Sequence, residues 1–272
     1  MSCATFDLAG IPIVFACEDP EWWHWASPRL AAFASPAEPT WEVTVEVTAP
    51  TPSFLRSPLE VYTEPLVVEG APGGVRLHSG TFEAEIDVSR SRARVSGPLG
   101  LYPLDATLRH LVPLAVEDGL VLHGAMLADR GRGWLCSGPS GCGKSTLAKL
   151  LPEHACCDEL AAVRRTADGW TLRSLPFWQA RPATARLEGV YLLGHGTVHE
   201  RRRATPADAV RQLTPQVLWP TASAVAMTRR LGLLAELVAQ VPVWELHFSP
   251  VPSVWEVIVM SPAQPTPDVP SG

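Results

Sequence analysis

The stretch CSGPSGCGKSTLAKLL, residues 136–151, constrains the fold more than any other part of the chain. Gly138, Gly143, Lys144 and Ser145 fill the spacing G-x-x-x-x-G-K-[ST]. Such a loop needs an apolar strand before it and a helix after it. WLCSG supplies the strand, and a short helix from about Gly143 to Leu151, ended by Pro152, follows. The residue types fit one chemistry. Glycines let successive backbone N–H groups turn inward around an anion. The helix start adds its positive dipole end. Lys144 brings a compact point charge for β and γ phosphates, and Ser145 a hydroxyl for Mg²⁺. Only Lys144 and Lys149 are lysines among 22 basic residues; the other 20 are arginine. The planar arginine fork has a different shape, so a lysine here marks a task that arginine does not perform. The expected nucleotide cradle is Gly138, Pro139, Ser140, Gly141, Cys142, Gly143, Lys144, Ser145 and Thr146, with ATP and Mg²⁺ as ligands.

Around this unit the chain divides into three. Residues 1–99 are expected to form a β-rich N-terminal domain. WEVTVEVT alternates strictly and puts Trp41, Val43, Val45 and Val47 on one face. GGVRLHS, TFEAEIDV and RARVSG repeat that habit, and TAPTPSFLRSP is expected to be a loop. Residues 100–261 hold the phosphate loop. Leu104, Leu108, Leu111 and Ala115 recur at helical spacing, with Pro113 expected to kink or split their helix. Strands are expected at LVLHGAMLA, WLCSG, ACCDELAAVRR, LEGVYLLG, VWELHFS and SVWEVIVM, a hairpin through Asp168-Gly169, and helices near 206–213 and 222–240. Hairpins mix with helices, so the class is α/β with a mixed sheet and not a repeated βαβ array. Residues 262–272, rich in proline, are expected to be a disordered tail.

A phosphate loop alone defines binding and not reaction. Phosphoryl transfer also needs an acid on a nearby strand, for the metal shell or a proton. CCDEL offers Asp158 and Glu159. Neighbouring strand residues face opposite sides, so at most one of the two meets a metal directly. His123 lies in the apolar strand VLHGAML, whose successor runs into the loop. It is either a satisfied core histidine or a neutral imidazole that orients an attacking hydroxyl or takes its proton.

The segments LHGAML, GPSGCGKSTLAKLL and CCDELAAVRR, with 21 positions from His123 to Lys144, resemble the HPr kinase/phosphorylase superfamily. The match is closer to its shorter relatives, some of which look like tailoring kinases of ribosomal peptide clusters. LDATLRHLVPLAV is similar to a helix that precedes their core, and PVWELHFSP…VWEVI to their closing strands. The resemblance covers about residues 100–260. It implies a core related to phosphoenolpyruvate carboxykinase and ATP-dependent phosphorylation of a serine hydroxyl on a peptide or protein. In it, His123, Asp158 and Glu159 assist transfer, Lys144 and Ser145 hold nucleotide and metal, and Asp158 also serves the metal. The chain has Asp-Glu where the HPr enzymes have Asp-Asp. SLPFWQARP, without an acid, stands in place of their second metal-binding glutamate segment. The implied reaction is therefore forward transfer or ATP hydrolysis, with no expectation of HPr itself as acceptor. The HPr enzymes are hexamers, which leaves a homo-oligomer open here.

Other signals carry less. Trp22, Trp23 and Trp25 around His24 are either a ligand grip or the core of the small β domain. His195 and His199 stand four apart before Arg201–Arg203, but Gly194 and Gly196 argue for a loop and against a helical metal pair. Arg181 and Arg186 are candidates for a transition-state cation. The net charge of −6 shows no basic stripe, against a nucleic-acid partner. No apolar run is long enough to cross a membrane, and the N-terminus lacks a basic signal-peptide start. Six cysteines show neither zinc nor disulfide spacing, which places the chain in a reducing cytoplasm. Two functions remain: a kinase acting on a peptide or protein hydroxyl, or a nucleotide-binding regulatory module with at most slow ATPase activity and no acceptor.

Overall fold

The computed structural model describes residues 1–48, 65–71, 73–177, 180–219 and 224–260. The expected loop TAPTPSFLRSP lies, beyond its first residue, outside the described residues, and so does the expected tail. The described chain is mixed α/β, built on two mixed sheets with few helices.

The first sheet has seven strands: β1 (Ser2–Leu8), β2 (Ile11–Cys17), β3 (Trp41–Val47), β4 (Val67–Ala71), β5 (Gly74–His78), β6 (Glu83–Asp87) and β7 (Arg92–Gly97). Their order is β1-β2-β3-β7-β6-β5-β4, with β2, β3 and β7 parallel and the other pairs antiparallel. Alternation fixes the inner face: Val43, Val75, Leu77, Ile86 and Val95 are buried. The tryptophan cluster is not on a strand. It lies on helix α1 (Pro20–Leu30), whose N-cap Asp19 accepts from the Glu21 amide. Trp22, Ala26 and Leu30 are spaced i, i+4, i+8 and bury one face, with Trp22 stacked on Phe15 at 6.3 Å. Trp22 is therefore core, as the bland expectation had it.

Helix α2 (Leu101–Ala115) joins the sheets. It starts earlier than the apolar spacing indicates, because Pro103 in its first turn costs no hydrogen bond. Pro113 does not split it, since the helix runs unbroken from Leu101 to Ala115. The proline falls in the last turn, where the helix is about to end, and the freed Pro113 carbonyl accepts from Arg230. One face of α2 packs on β6 and β7, and the helix reaches the second sheet as well. A single buried cluster thus runs from Phe15 and Trp22 through Leu108 and Leu111 to Val121, Leu160 and Phe177.

The second sheet contains β8 (Gly119–Asp129), β9 (Arg132–Ser137), β10 (Ala155–Cys157), β11 (Leu160–Thr166), β12 (Gly169–Ser174), β13 (Thr184–His195), β14 (Glu200–Arg203) and β15 (Val243–Phe248). The pairings β8–β9, β9–β13, β13–β12, β12–β11 and β11–β8 close a ring. β13 lies parallel to β9 and to β15. Helices α3 (Lys144–Leu150) and α6 (Val254–Val259) pack through Leu147, Val254 and Ile258 on one face of β9, β13 and β15. Helices α4 (Pro206–Leu213) and α5 (Ala224–Gln240) cover the other face through Leu213, Leu234 and Leu237. Buried on both faces, these strands lose the period-2 pattern.

Two expected strands are corrected. SVWEVIVM is helix α6 and not a closing strand. Its β-branched run favours a strand, but Val254 and Ile258 bury at i, i+4 spacing. Its last carbonyls are also paid in tertiary bonds: Tyr191 Oη donates to Ile258 O at 2.7 Å, and Arg201 donates to Val257 O and Met260 O. ACCDELAAVRR is not one strand but β10 and β11, separated at Asp158 and Glu159. Both pieces pair with the same edge of β8, after a register shift between Ala155 and Cys157.

Candidate nucleotide site

The loop leaves β9 at Ser137 and enters α3 at Lys144. Its glycines hold conformations closed to most side chains. Gly143 has φ +108°, and a Cβ there would stand 2.9 Å from the Phe248 ring. The Lys144 ammonium turns back into its own loop. It donates to Gly138 O at 2.8 Å and to Pro139 O at 3.1 Å, with Cys142 Sγ at 3.8 Å. The lysine is buried, whereas Ser140, Ser145 and Thr146 are exposed at the mouth. His195, at the end of β13, donates from Nε2 to Gly141 O at 2.7 Å and ties down the loop tip. That role had no signal in the sequence, because the two residues are 54 positions apart.

Three elements meet at Gly124 of β8. Gly124 pairs with Ser137, the last residue before the loop, and its amide donates to Glu159 O at 3.0 Å. A Cβ at Gly124 would lie 2.8 Å from Leu135 Cδ1 and 3.1 Å from Cys136 O, so a side chain there would displace Leu135 and crowd the strand pairing. Ser137 Oγ donates to His123 O at 2.7 Å. The loop start, the His123 strand and the acidic pair are therefore one hydrogen-bonded junction.

The two acids differ. Asp158 is half-buried and has no hydrogen bond or ion pair among the described residues. Glu159 is held from both sides: Oε1 accepts from Arg109 Nη2 at 2.8 Å, and Oε2 lies 3.7 Å from His123 Nε2. His123 and then Arg109 hold the Glu159 carboxyl down to about 2, against the opposing pull of burial. His123 is not sealed in the core; its side chain is 37 % exposed. Arg109 also donates from Nε to Asp105 Oδ2 at 3.0 Å, one helical turn back, and lies over the Phe177 ring at 5.0 Å. Arg109 and Asp105 were not among the expected site residues. The i, i+4 acid–base pair was visible, but its reach across 50 positions to Glu159 was not.

Other candidates are occupied elsewhere. Arg181 donates to Ala155 O and Glu153 O, and Arg186 pairs with Glu188. Neither points its charge at the loop through any described contact. Arg201 caps α6, Arg202 pairs with Glu245, and Arg203 lies over Trp244, so the basic segment is a structural strand and not a solvated loop. His199 meets Ser253 Oγ at 3.0 Å, away from His195's partner. Cys156 and Cys157 are buried, and burial pushes the Cys157 thiol up to about 12. Among the described residues, no cluster of three His, Cys, Asp or Glu can hold a metal ion. A Mg²⁺ ion that arrives with a nucleotide asks little of a protein beyond a hydroxyl and one carboxylate. The open Ser145 and unpartnered Asp158 fit that role. A concavity of about 480 Å³ lies elsewhere, on the outer face of the first sheet along Arg76, Glu85 and Arg94.

No protein-family model matches the chain, and no curated protein matches it. No helix among the described residues is long and apolar enough to cross a membrane.

Proposed function

We propose that the chain is an ATP-dependent kinase of the HPr kinase-like type, which moves the γ-phosphoryl group to a hydroxyl, in the simplest case of serine, on a peptide or protein acceptor. The junction at Gly124 carries this reading, because hydrogen bonds link the residue that opens the phosphate loop to His123 and, through Gly124, to Glu159. In this reading the second sheet and its helices correspond to the kinase core, and six free thiols suit a reducing cytoplasm.

Bound Mg²⁺·ATP supplies the phosphoryl group and neutralises its charge. The loop amides and the α3 start receive the phosphates, and Lys144 exchanges its loop carbonyls for phosphate oxygens. Ser145 and Asp158 would hold the metal. The acceptor oxygen forms the new bond to phosphorus as the bond to the ADP oxygen breaks. ADP keeps that bonding pair, and His123 takes the hydroxyl proton. Incubation with γ-labelled ATP, Mg²⁺ and candidate peptides tests this. Label on a peptide hydroxyl supports it; free phosphate alone, or no turnover, contradicts it.

A second reading, a nucleotide-binding regulatory module, draws on one observation. A groove of about 480 Å³ lies on the first sheet and not beside the loop. Binding of ATP without any acceptor would favour it.

A further inference from the structure

Glu159 and Asp158 are adjacent in sequence but stand in different settings. Both oxygens of Glu159 have partners, Arg109 on one and His123 on the other. Arg109 has little freedom of its own. Asp105 holds its Nε, its guanidinium lies over the Phe177 ring, and its side chain is only 23 % exposed. Asp105 is more deeply buried still, at 7 %. The four side chains form a line, Asp105–Arg109–Glu159–His123, from a rigid helix to the strand beside the phosphate loop.

We propose that Arg109 is a positioning residue: anchored by Asp105 on α2, it fixes the Glu159 carboxylate so that the carboxylate orients the His123 ring and sets which ring nitrogen carries the proton. This rests on the kinase reading of His123 and deepens it. A carboxylate beside Nε2 favours the proton on Nε2 and leaves Nδ1 as the basic nitrogen. The logic is that of an acid orienting a histidine so that its far nitrogen acts as base. Asp158 is then the acid left open to a ligand. The division also accounts for Asp-Glu at these positions: the longer side chain reaches from the bend before β11 to both Arg109 and His123.

The test uses the full chain with ¹⁵N-labelled histidine, His123 being assigned by its loss in H123Q. In the neutral form of the ring, wild type is expected to show His123 mainly as the Nε2–H tautomer. Arg109→Met is expected to give a mixture of tautomers, and Arg109→Lys to retain the wild-type form. In turnover, Arg109→Met is expected to lower kcat on the order of tenfold or more, with KM for ATP unchanged, as loss of proton-transfer assistance demands. Arg109→Lys recovers most of that loss. Unchanged His123 signals in Arg109→Met overturn the proposal. If Arg109→Met does not fold, Asp105→Asn carries the test: a shifted tautomer ratio supports the clamp, and wild-type signals overturn it. The tautomer reads the clamp without turnover. A wild-type chain that never binds ATP therefore sinks the kinase reading, whereas unchanged His123 signals sink only the clamp.

Discussion

At the scale of single residues, Lys144 and Gly143 carry opposite kinds of demand. Lys144 is buried with its charge on loop carbonyls, a resting arrangement that holds the loop shape. In the proposed nucleotide complex, Lys144→Ala would remove a charge-assisted phosphate contact of about 1.5–3 kcal/mol. Nucleotide affinity is expected to fall on the order of 10- to 100-fold, measured by calorimetry, with the circular-dichroism spectrum unchanged. Gly143→Ala acts on the fold instead. A side chain at φ +108° against the Phe248 ring is expected to cost about 1–3 kcal/mol, read from urea unfolding. The loop was legible in the sequence because its glycine and lysine spacing is local. Arg109 and His195 were not, because each acts through a contact made only when distant strands come together.

At the scale of elements, α2 and α6 show what local pattern does and does not decide. The apolar spacing of Leu104, Leu108, Leu111 and Ala115 announced α2, and the alternation of WEVTVEV announced β3. Both patterns record burial of one face, which the sequence carries directly. The α6 segment has a strand's composition. Its helix depends on Tyr191 and Arg201, which meet its last carbonyls from other elements. Arg201→Ala is therefore expected to lose about 1–3 kcal/mol, with amide-exchange protection lost first in residues 254–259. Glu159 likewise interrupts an apolar pattern for reasons that lie in its partners, Arg109 and His123, and not in its sequence neighbours.

Helix α2 also carries a pH dependence. His110 is largely buried and its Nδ1 bonds Ala106 O at 2.8 Å. Burial pulls its pKa below the ordinary value, so the folded state disfavours the charged ring. The unfolded chain binds that proton more readily. The stability present above the unfolded value of about 6.5 is lost as pH falls through it toward the lower folded value. In urea unfolding across this range, His110→Gln is expected to flatten the slope. An unchanged slope would show that another group sets it.

At the scale of the whole molecule, the first sheet, α2 and the second sheet share one buried cluster. Position 22 lies on α1, far along the chain from the phosphate loop, yet its side chain belongs to this shared core. Trp22→Ala is expected to cost about 3–5 kcal/mol and to lower the melting temperature of the whole chain in one transition. Two separate transitions would show that the sheets unfold independently. The central claim concerns the loop between β9 and α3. Its most direct test is a calorimetric titration of Mg²⁺·ATP into the wild-type chain and into Lys144→Ala. Saturable one-site binding that Lys144→Ala weakens by at least tenfold is the predicted result. No binding to the wild type, or equal binding to both, would contradict the account.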